Sequence, residues 1–253
     1  MIVCKSSAEI DAMRAASALV AEVLGELAGM VAPGVSTLDL DVEAERLVRA
    51  AGAEPAFKGY RGYPCTLCAS TNDEVIHGIP SRRPLTEGDI VSLDMGVKQH
   101  GFFGDSAVTV PVGRVSDEAQ LLLRVTRESL EKAIAQVRLG GRVSDIGHAV
   151  QQHVEAHGFS VVREFVGHGI GASLHEEPQI ANYGDPGRGP RLAEGMTLAI
   201  EPMVNAGRPA VKVLSDGWTA VTRDGSLSAH FEHTVAVTRD GPLVLTRAAA
   251  RVR

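Results

Sequence analysis

The sequence predicts an α+β fold in which two related half-domains, about residues 6–110 and 116–240, face one another within one domain spanning 1–253. Three observations predict it: four helical stretches arranged as two pairs, a recurrence of residues at a spacing of 106 to 107, and strand regions of alternating polarity after each pair. A period this long is not that of a solenoid, whose units run about 20 to 50 residues, so it reads as a pseudo-two-fold pairing of halves. No Pro-, Gly- or Ser-rich linker separates the halves. Four helices backing one side of a curved, largely antiparallel sheet would bury the apolar faces of both layers.

The first helix begins at Ser6, where Ser-x-x-Glu9 forms a capping-box pattern, and runs through Ile10, Met13, Val20, Leu24 and Leu27 to about Met30. Gly34 follows it. A second helix is predicted from about Thr37, with Leu40, Ala44, Leu47 and Val48 on one side and Gly52 as its stop. The second pair starts at Ser116 with Leu122, Val125, Ala133, Ile134 and Val137, then resumes after Gly140 and Gly141 with Ile146, Val150 and Val154, stopping at Gly158.

The pairs correspond position by position. At a spacing of 106, Gly34 falls on Gly140, Asp39 on Asp145, Leu40 on Ile146, Ala44 on Val150, Val48 on Val154 and Gly52 on Gly158. The strands that follow correspond too: Leu85 to Asp94 matches Leu192 to Glu201 at a spacing of 107, which superimposes Asp94 on Glu201. His77-Gly-Ile echoes His168-Gly-Ile, and the strand beginning at Asp105 echoes the one beginning at Glu232. A histidine and two acids therefore recur in each half.

Alternation along a strand sends neighbouring side chains to opposite faces. Asp94 shares its face with Ser92 and Gly96, against Val91, Leu93, Met95 and Val97; Glu201 lies opposite Leu198 and Ile200. Asp105 lies opposite Val108 and Val110, and Glu232 opposite Val235 and Val237. If the apolar faces pack on helices, all four acids project from the concave side. Carboxylates drawn together repel by about 4 kcal/mol per close pair at an effective dielectric near 20, so protons or cations must hold them there. Four carboxylates with one imidazole donor, His168, suit hard or borderline divalent ions better than a thiolate-bound zinc site does. Two such ions sharing bridging carboxylates would hold a hydroxide between them.

Composition narrows the alternatives. Hydrophobic residues at 44% and charged residues at 22% are ordinary for a globular chain and exclude a disordered or fibrous one. A net charge of −6, with Lys and Arg scattered singly, argues against a nucleic-acid partner, which would need a clustered basic stripe. Neither a cationic leader nor a bilayer-length apolar run is present, so a cytoplasmic protein without a membrane partner is the expectation. Three cysteines cannot form a paired framework. Cys65-x-x-Cys68 lacks the second pair that zinc needs and the βαβ context that thiol exchange needs.

Seven ordered motifs now stand out: His77-Gly-Ile-Pro, Leu93-Asp94-Met95-Gly96, Gly104-Asp105, Gly167-His168-Gly-Ile-Gly, His175-Glu-Glu-Pro, Ile200-Glu201-Pro-Met and Phe231-Glu232-His-Thr. In order and approximate spacing the series resembles that of the short, prokaryotic type I methionine aminopeptidases, over essentially the whole chain. The resemblance implies the pita-bread fold of the creatinase and aminopeptidase group. It implies removal of the initiator methionine from nascent polypeptide N-termini before a small second residue, at the ribosome by function alone, by a monomer. It also implies two divalent ions (Co, Mn, Fe(II) or Zn) held by Asp94, Asp105, His168, Glu201 and Glu232, with Asp105 and Glu232 bridging. Glu201 would relay a proton, while His77 and His175 would touch the scissile amide and its carbonyl oxygen. Phe57, Tyr60, Tyr63, Cys68, Leu174 and Trp218 would line the methionine pocket, where aromatics and a soft thiol suit an unbranched thioether. Phe57 and Leu174 stand where the resembling enzymes most often carry a cysteine and a phenylalanine. His100, His148, His153, His157, His230 and His233 carry no motif support. An X-Pro peptidase of the same fold is the main rival within the group, but those relatives usually carry an additional N-terminal domain.

Overall fold

In the computed structural model, which describes residues 1–247, both predicted helix pairs form. In the first half, α1 (Ser7–Met30) and α2 (Thr37–Ala50) are followed by β1 (Glu54–Pro55), β2 (Cys68–Thr71), β3 (Glu74–Ile76), β4 (Ile90–Gln99) and β5 (Phe102–Pro111). In the second, α3 (Asp117–Ile134) and α4 (Val143–Ala156) precede β6 (Ser160–Val161), β7 (Gly167–Gly169), β8 (Glu176–Ile180), β9 (Thr197–Ile200) and β10 (Met203–Asn205). The chain continues through β11 (Val211–Val213), β12 (Ala220–Thr222), β13 (Ser228–His230), β14 (Glu232–Thr238) and β15 (Gly241–Val244).

Local chemistry explains the helix ends. The Ser6 hydroxyl accepts from the Glu9 amide and the Glu9 carboxylate accepts from the Ser6 amide, the reciprocal pair of a capping box. Asp39 and Asp145, equivalent in the repeat, do the same work: each carboxylate accepts the backbone N–H three residues before it, at 3.0 Å from Ser36 and 2.8 Å from Arg142. Gly52 and Gly158 follow α2 and α4 in the left-handed region, at φ +71° and +80°, where a β-carbon would be strained. Val137 was expected on the third helix. It lies in the turn beyond α3, which ends at Ile134, yet it is fully buried.

One nine-stranded sheet crosses both halves in the order β1-β4-β5-β14-β9-β7-β8, with β2 added beside β4 and β15 beside β14, and its pairings are antiparallel. Within this sheet the halves meet at a seam where β5 pairs with β14, and in a smaller sheet β3 pairs with β12 across the halves as well. Side chains reinforce the β5–β14 seam: Thr234 Oγ1 donates to the Asp105 carbonyl at 2.8 Å, and Ser106 Oγ donates to the Glu232 carbonyl at 2.6 Å.

The helices cover one face of this sheet. Val91, Leu93, Met95 and Val97 of β4 pack with Val20, Leu24 and Leu27 of α1 and Leu40 and Val48 of α2. Leu198, Ile200, Val235 and Val237 pack with residues of α3 and α4, among them Leu122, Val125, Ile146 and Val150. These are the residues that alternation set opposite the acids.

Candidate metal centre and substrate cavity

Register carries the acids to one face. Ala107 of β5 pairs with Asp94 on one side and with Glu232 on the other, so Asp94, Ala107 and Glu232 form one row across three strands. Residues in one row share a face, and Asp105 is two positions from Ala107 along β5. On the far side of the seam Ala199 pairs with both Thr234 and His168, while Glu201 follows two positions after Ala199. Alternation therefore brings all five side chains to the surface opposite the helices.

The residues close into a compact cluster. Asp105, His168 and Glu232 each offer a ligand atom within 4.8 Å of the others. Glu201 Oε1 lies 3.6 Å from His168 Nε2. All five are buried, between 2% and 7% exposed. Burial pushes each carboxyl up, Asp105 to about 7; Asp94 is raised further by Asp105, and Glu201 and Glu232 by the other carboxylates. Burial holds His168 down to about 4, with His175 adding to the effect, so the ring is neutral near pH 7. Its Nδ1 is 2.9 Å from the Gly169 carbonyl; donating there leaves the Nε2 lone pair free as a ligand.

Asp94 Oδ1, Asp105 Oδ1 and Glu232 Oε1 are buried without a hydrogen-bond partner. Unpartnered buried carboxylate oxygens are costly unless a cation compensates them. The residues therefore fit divalent metal: oxygen-rich, with one imidazole and no thiolate in the buried cluster.

Around the cluster lies a cavity of about 150 Å³ lined by all thirteen residues singled out from the sequence: Phe57, Tyr60, Tyr63, Cys68, His77, Asp94, Asp105, His168, Leu174, His175, Glu201, Trp218 and Glu232. Tyr63 packs edge-on to Trp218 at 5.1 Å, and its hydroxyl donates within 3.0 Å of the Leu67 and Gly78 carbonyls, which fixes that wall. A β-carbon at Gly96 would come within 2.8 Å of the Phe57 ring. His77 sits in the left-handed region at φ +60° with its ring edge-on to Trp218, a strained backbone that aims it into the cavity. His175, at the exposed mouth, stacks on Tyr60 and pairs through Nδ1 with the Tyr60 hydroxyl at 2.9 Å. Partial burial and then the charge of Arg61 hold His175 below its ordinary value.

A sequence profile of metallopeptidase family M24 matches residues 11–239. The chain belongs to metallopeptidase family M24. Among M24 proteins it is 53% identical to methionine aminopeptidase 1 of Bacillus subtilis, over 98% of this chain and 100% of the relative. The crystal structure of methionine aminopeptidase from Thermotoga maritima superimposes with a TM-score of 0.96 at 48% identity, covering 98% of this chain and 100% of that one. The prolidase of Pyrococcus horikoshii OT3 shares the fold at a TM-score of 0.80 and 21% identity, with 66% of its own length covered. The M24 chain thus has the pita-bread fold and is a hydrolase of the methionine aminopeptidase group. No helix among the described residues is long and apolar enough to cross a membrane.

Three residues near the M24 site were not singled out from sequence. Arg61 and Ile76 also line the cavity. Arg61 belongs to an irregular turn at φ +50° that no periodicity announces. His230 is 1% exposed with Nε2 3.9 Å from Glu201 Oε2, and burial pushes it down to about 3. Period-two alternation back from Glu232 reaches His230, so that signal was available.

Proposed function

We propose that this M24 chain removes the N-terminal methionine from newly made polypeptides whose second residue is small. The observation that carries the reading is one small cavity with a carboxylate cluster on its floor and aromatics on its walls. At about 150 Å³ it falls below the ~300 Å³ at which ligand pockets usually begin, so it suits a single side chain. Tyr63, Trp218, Phe57 and Leu174 offer that side chain apolar and aromatic contact, and Cys68 a polarisable thiol.

Asp94, Asp105, His168, Glu201 and Glu232 would hold two divalent ions; Mn, Fe(II), Co or Zn would each suit the donor set. Bound there, such ions supply an activated water at neutral pH and polarise the scissile carbonyl. The remaining work falls to the chain's own side chains. Glu201, a carboxylate lining the cavity, would accept a proton and return it to the leaving amine. When the Tyr60 hydroxyl donates to His175 Nδ1, the ring hydrogen sits on Nε2, where it can stabilise the developing oxyanion. His77, buried and held down to about 4, enters as a neutral ring that can contact the scissile amide. Ions held there would also offer a ligand position to a free α-amine, which an internal peptide lacks, and this would make the enzyme an exopeptidase.

We further read the chain as one catalytic domain of two related halves, 6–110 and 116–240, a reading supported by the sheet that runs through both. Its proposed place of action is the cytoplasm, where new N-termini emerge. The test is hydrolysis of Met-Ala-Ser and Met-Leu-Ser by protein loaded with Mn or Co. Free methionine is expected from the first and far less from the second; no release from Met-Ala-Ser would refute the assignment.

A further inference from the structure

Of the buried polar side chains, His230 has the least explained position. It is 1% exposed, and neither ring nitrogen has a hydrogen-bond partner. Groups buried to this degree are nearly always paired, so the exception calls for a physical reason. Its main chain cannot withdraw. The His230 amide donates to Thr109 Oγ1 at 2.9 Å, Thr109 Oγ1 donates to the His230 carbonyl at 2.7 Å, and Ser92 completes the knot at 2.8 Å from Thr109. β13 also pairs His230 with Met203.

The ring so fixed faces Glu201. His230 Nε2 is 3.9 Å from Glu201 Oε2, while His168 Nε2 is 3.6 Å from Glu201 Oε1. The carboxylate thus lies between two imidazoles, one toward each oxygen. Asn182 Nδ2 donates to the Glu201 carbonyl at 3.0 Å, which anchors the backbone and leaves only the side chain free to turn. Small rotations about the glutamate's torsions would close 3.9 Å to hydrogen-bond length.

Building on the function proposed above, we infer that His230 is a positioning residue for Glu201: its Nε2–H holds Oε2 and keeps Oε1 turned toward His168 and the ligand cluster. The cluster needs such a device. Asp94 and Asp105 repel Glu201, and a carboxylate on a flexible stem relieves that repulsion by swinging away. A lysine or arginine here would hold it, but would also neutralise the charge that attracts cations. A neutral imidazole supplies a donor without competing for the site. Partners that orient a metal-binding side chain typically change affinity or activity about 10- to 100-fold when lost.

The test compares His230→Gln, which keeps an N–H donor, with His230→Leu, which keeps comparable bulk and has none. His230→Ala, free of any crowding that leucine introduces, serves as a second apolar variant. Metal-free protein is titrated with Co(II) by calorimetry, the visible spectrum of the Co(II) form is recorded, and kcat and KM are measured on Met-Ala-Ser. The apolar variants are expected to bind Co(II) at least about tenfold more weakly, with a shifted spectrum and kcat down by a similar factor at little-changed KM. The glutamine variant should stay close to the parent in all three. The inference is overturned if the apolar variants keep the parent's Co(II) affinity and spectrum, or if glutamine is as impaired as leucine. A parent protein that failed to cleave Met-Ala-Ser would refute the proposed function instead, and the Co(II) titration would still judge His230.

Discussion

Asp94 and Glu232 flank the same residue, Ala107, from opposite sides of β5, so one small side chain separates carboxylates contributed by the two halves of the molecule. Their separation is set by strand spacing. Neither acid can leave the row without breaking the hydrogen-bond ladder through which β4, β5 and β14 hold together. Crowded and buried, the cluster takes up protons at a cost in stability before any cation arrives.

Neutralising one member should therefore stabilise the metal-free protein while abolishing its function. Glu232→Gln or Asp105→Asn should lose metal occupancy in elemental analysis and lose turnover with it. At neutral pH the metal-free variant is expected to gain on the order of 1 kcal/mol, a rise of about 2 to 4 °C in Tm for a chain of this size. Thermal melts with and without chelator check both parts. A variant that still binds metal, or whose metal-free form melts lower than the parent's, would contradict the picture.

Metal binding should release protons. Burial raises Asp105 to about 7 and pushes Asp94, Glu201 and Glu232 well up, so the metal-free cluster holds protons that ions must displace. Because the protons are bound in the metal-free state only, affinity rises with pH, by up to about tenfold per unit for each proton released. His168, held down to about 4, is neutral over this range and contributes none. Calorimetry in buffers of different ionisation enthalpy, between about pH 5.5 and pH 8, measures the release. An affinity that does not change with pH would rule the mechanism out.

Loss of His175 should separate turnover from metal binding. The ring stands at the cavity mouth, held by Tyr60 and 4.2 Å from His168 between ring centroids. His175→Ala is expected to lower kcat by about 10²- to 10³-fold, the usual effect of removing an oxyanion donor, with metal content unchanged. If metal content falls with activity, the role of the ring is structural.

Gly96→Ala should narrow the cavity proposed to take the methionine side chain. Its new methyl would meet the Phe57 ring at 2.8 Å and the Ala56 methyl at 3.0 Å, so the Phe57 ring, which lines the cavity, has to shift. KM for Met-Ala-Ser should rise about tenfold with kcat within a few-fold, because binding contacts change while the reacting groups do not. An unchanged KM would show that the ring turns outward instead.

Much of the site was legible before any coordinates, for a local reason. Side-chain direction along a strand repeats every two residues, so Asp94 against Leu93 and Met95, or Glu232 against Val235 and Val237, already separates a polar face from a helix-packed one. Capping follows the same logic: Ser6 with Glu9, and Asp39 with its repeat partner Asp145, act over three residues. Arg61 was not legible, because a left-handed turn has no period. His230 carried a readable period-two relation to Glu232, but nothing local announced how close Glu201 would come.

By itself the sequence determined the internal repeat, the helix limits to within a turn, the face on which each acid lies, and a motif series resembling one peptidase group. Tertiary structure alone decided that Asp94, Ala107 and Glu232 share a row, that His175 closes the cavity mouth against Tyr60, and that Glu201 lies between His168 and His230. Periodicity and capping arise within a few bonds of the residue concerned, whereas register across the β5–β14 seam and the approach of distant loops arise only when the whole chain packs.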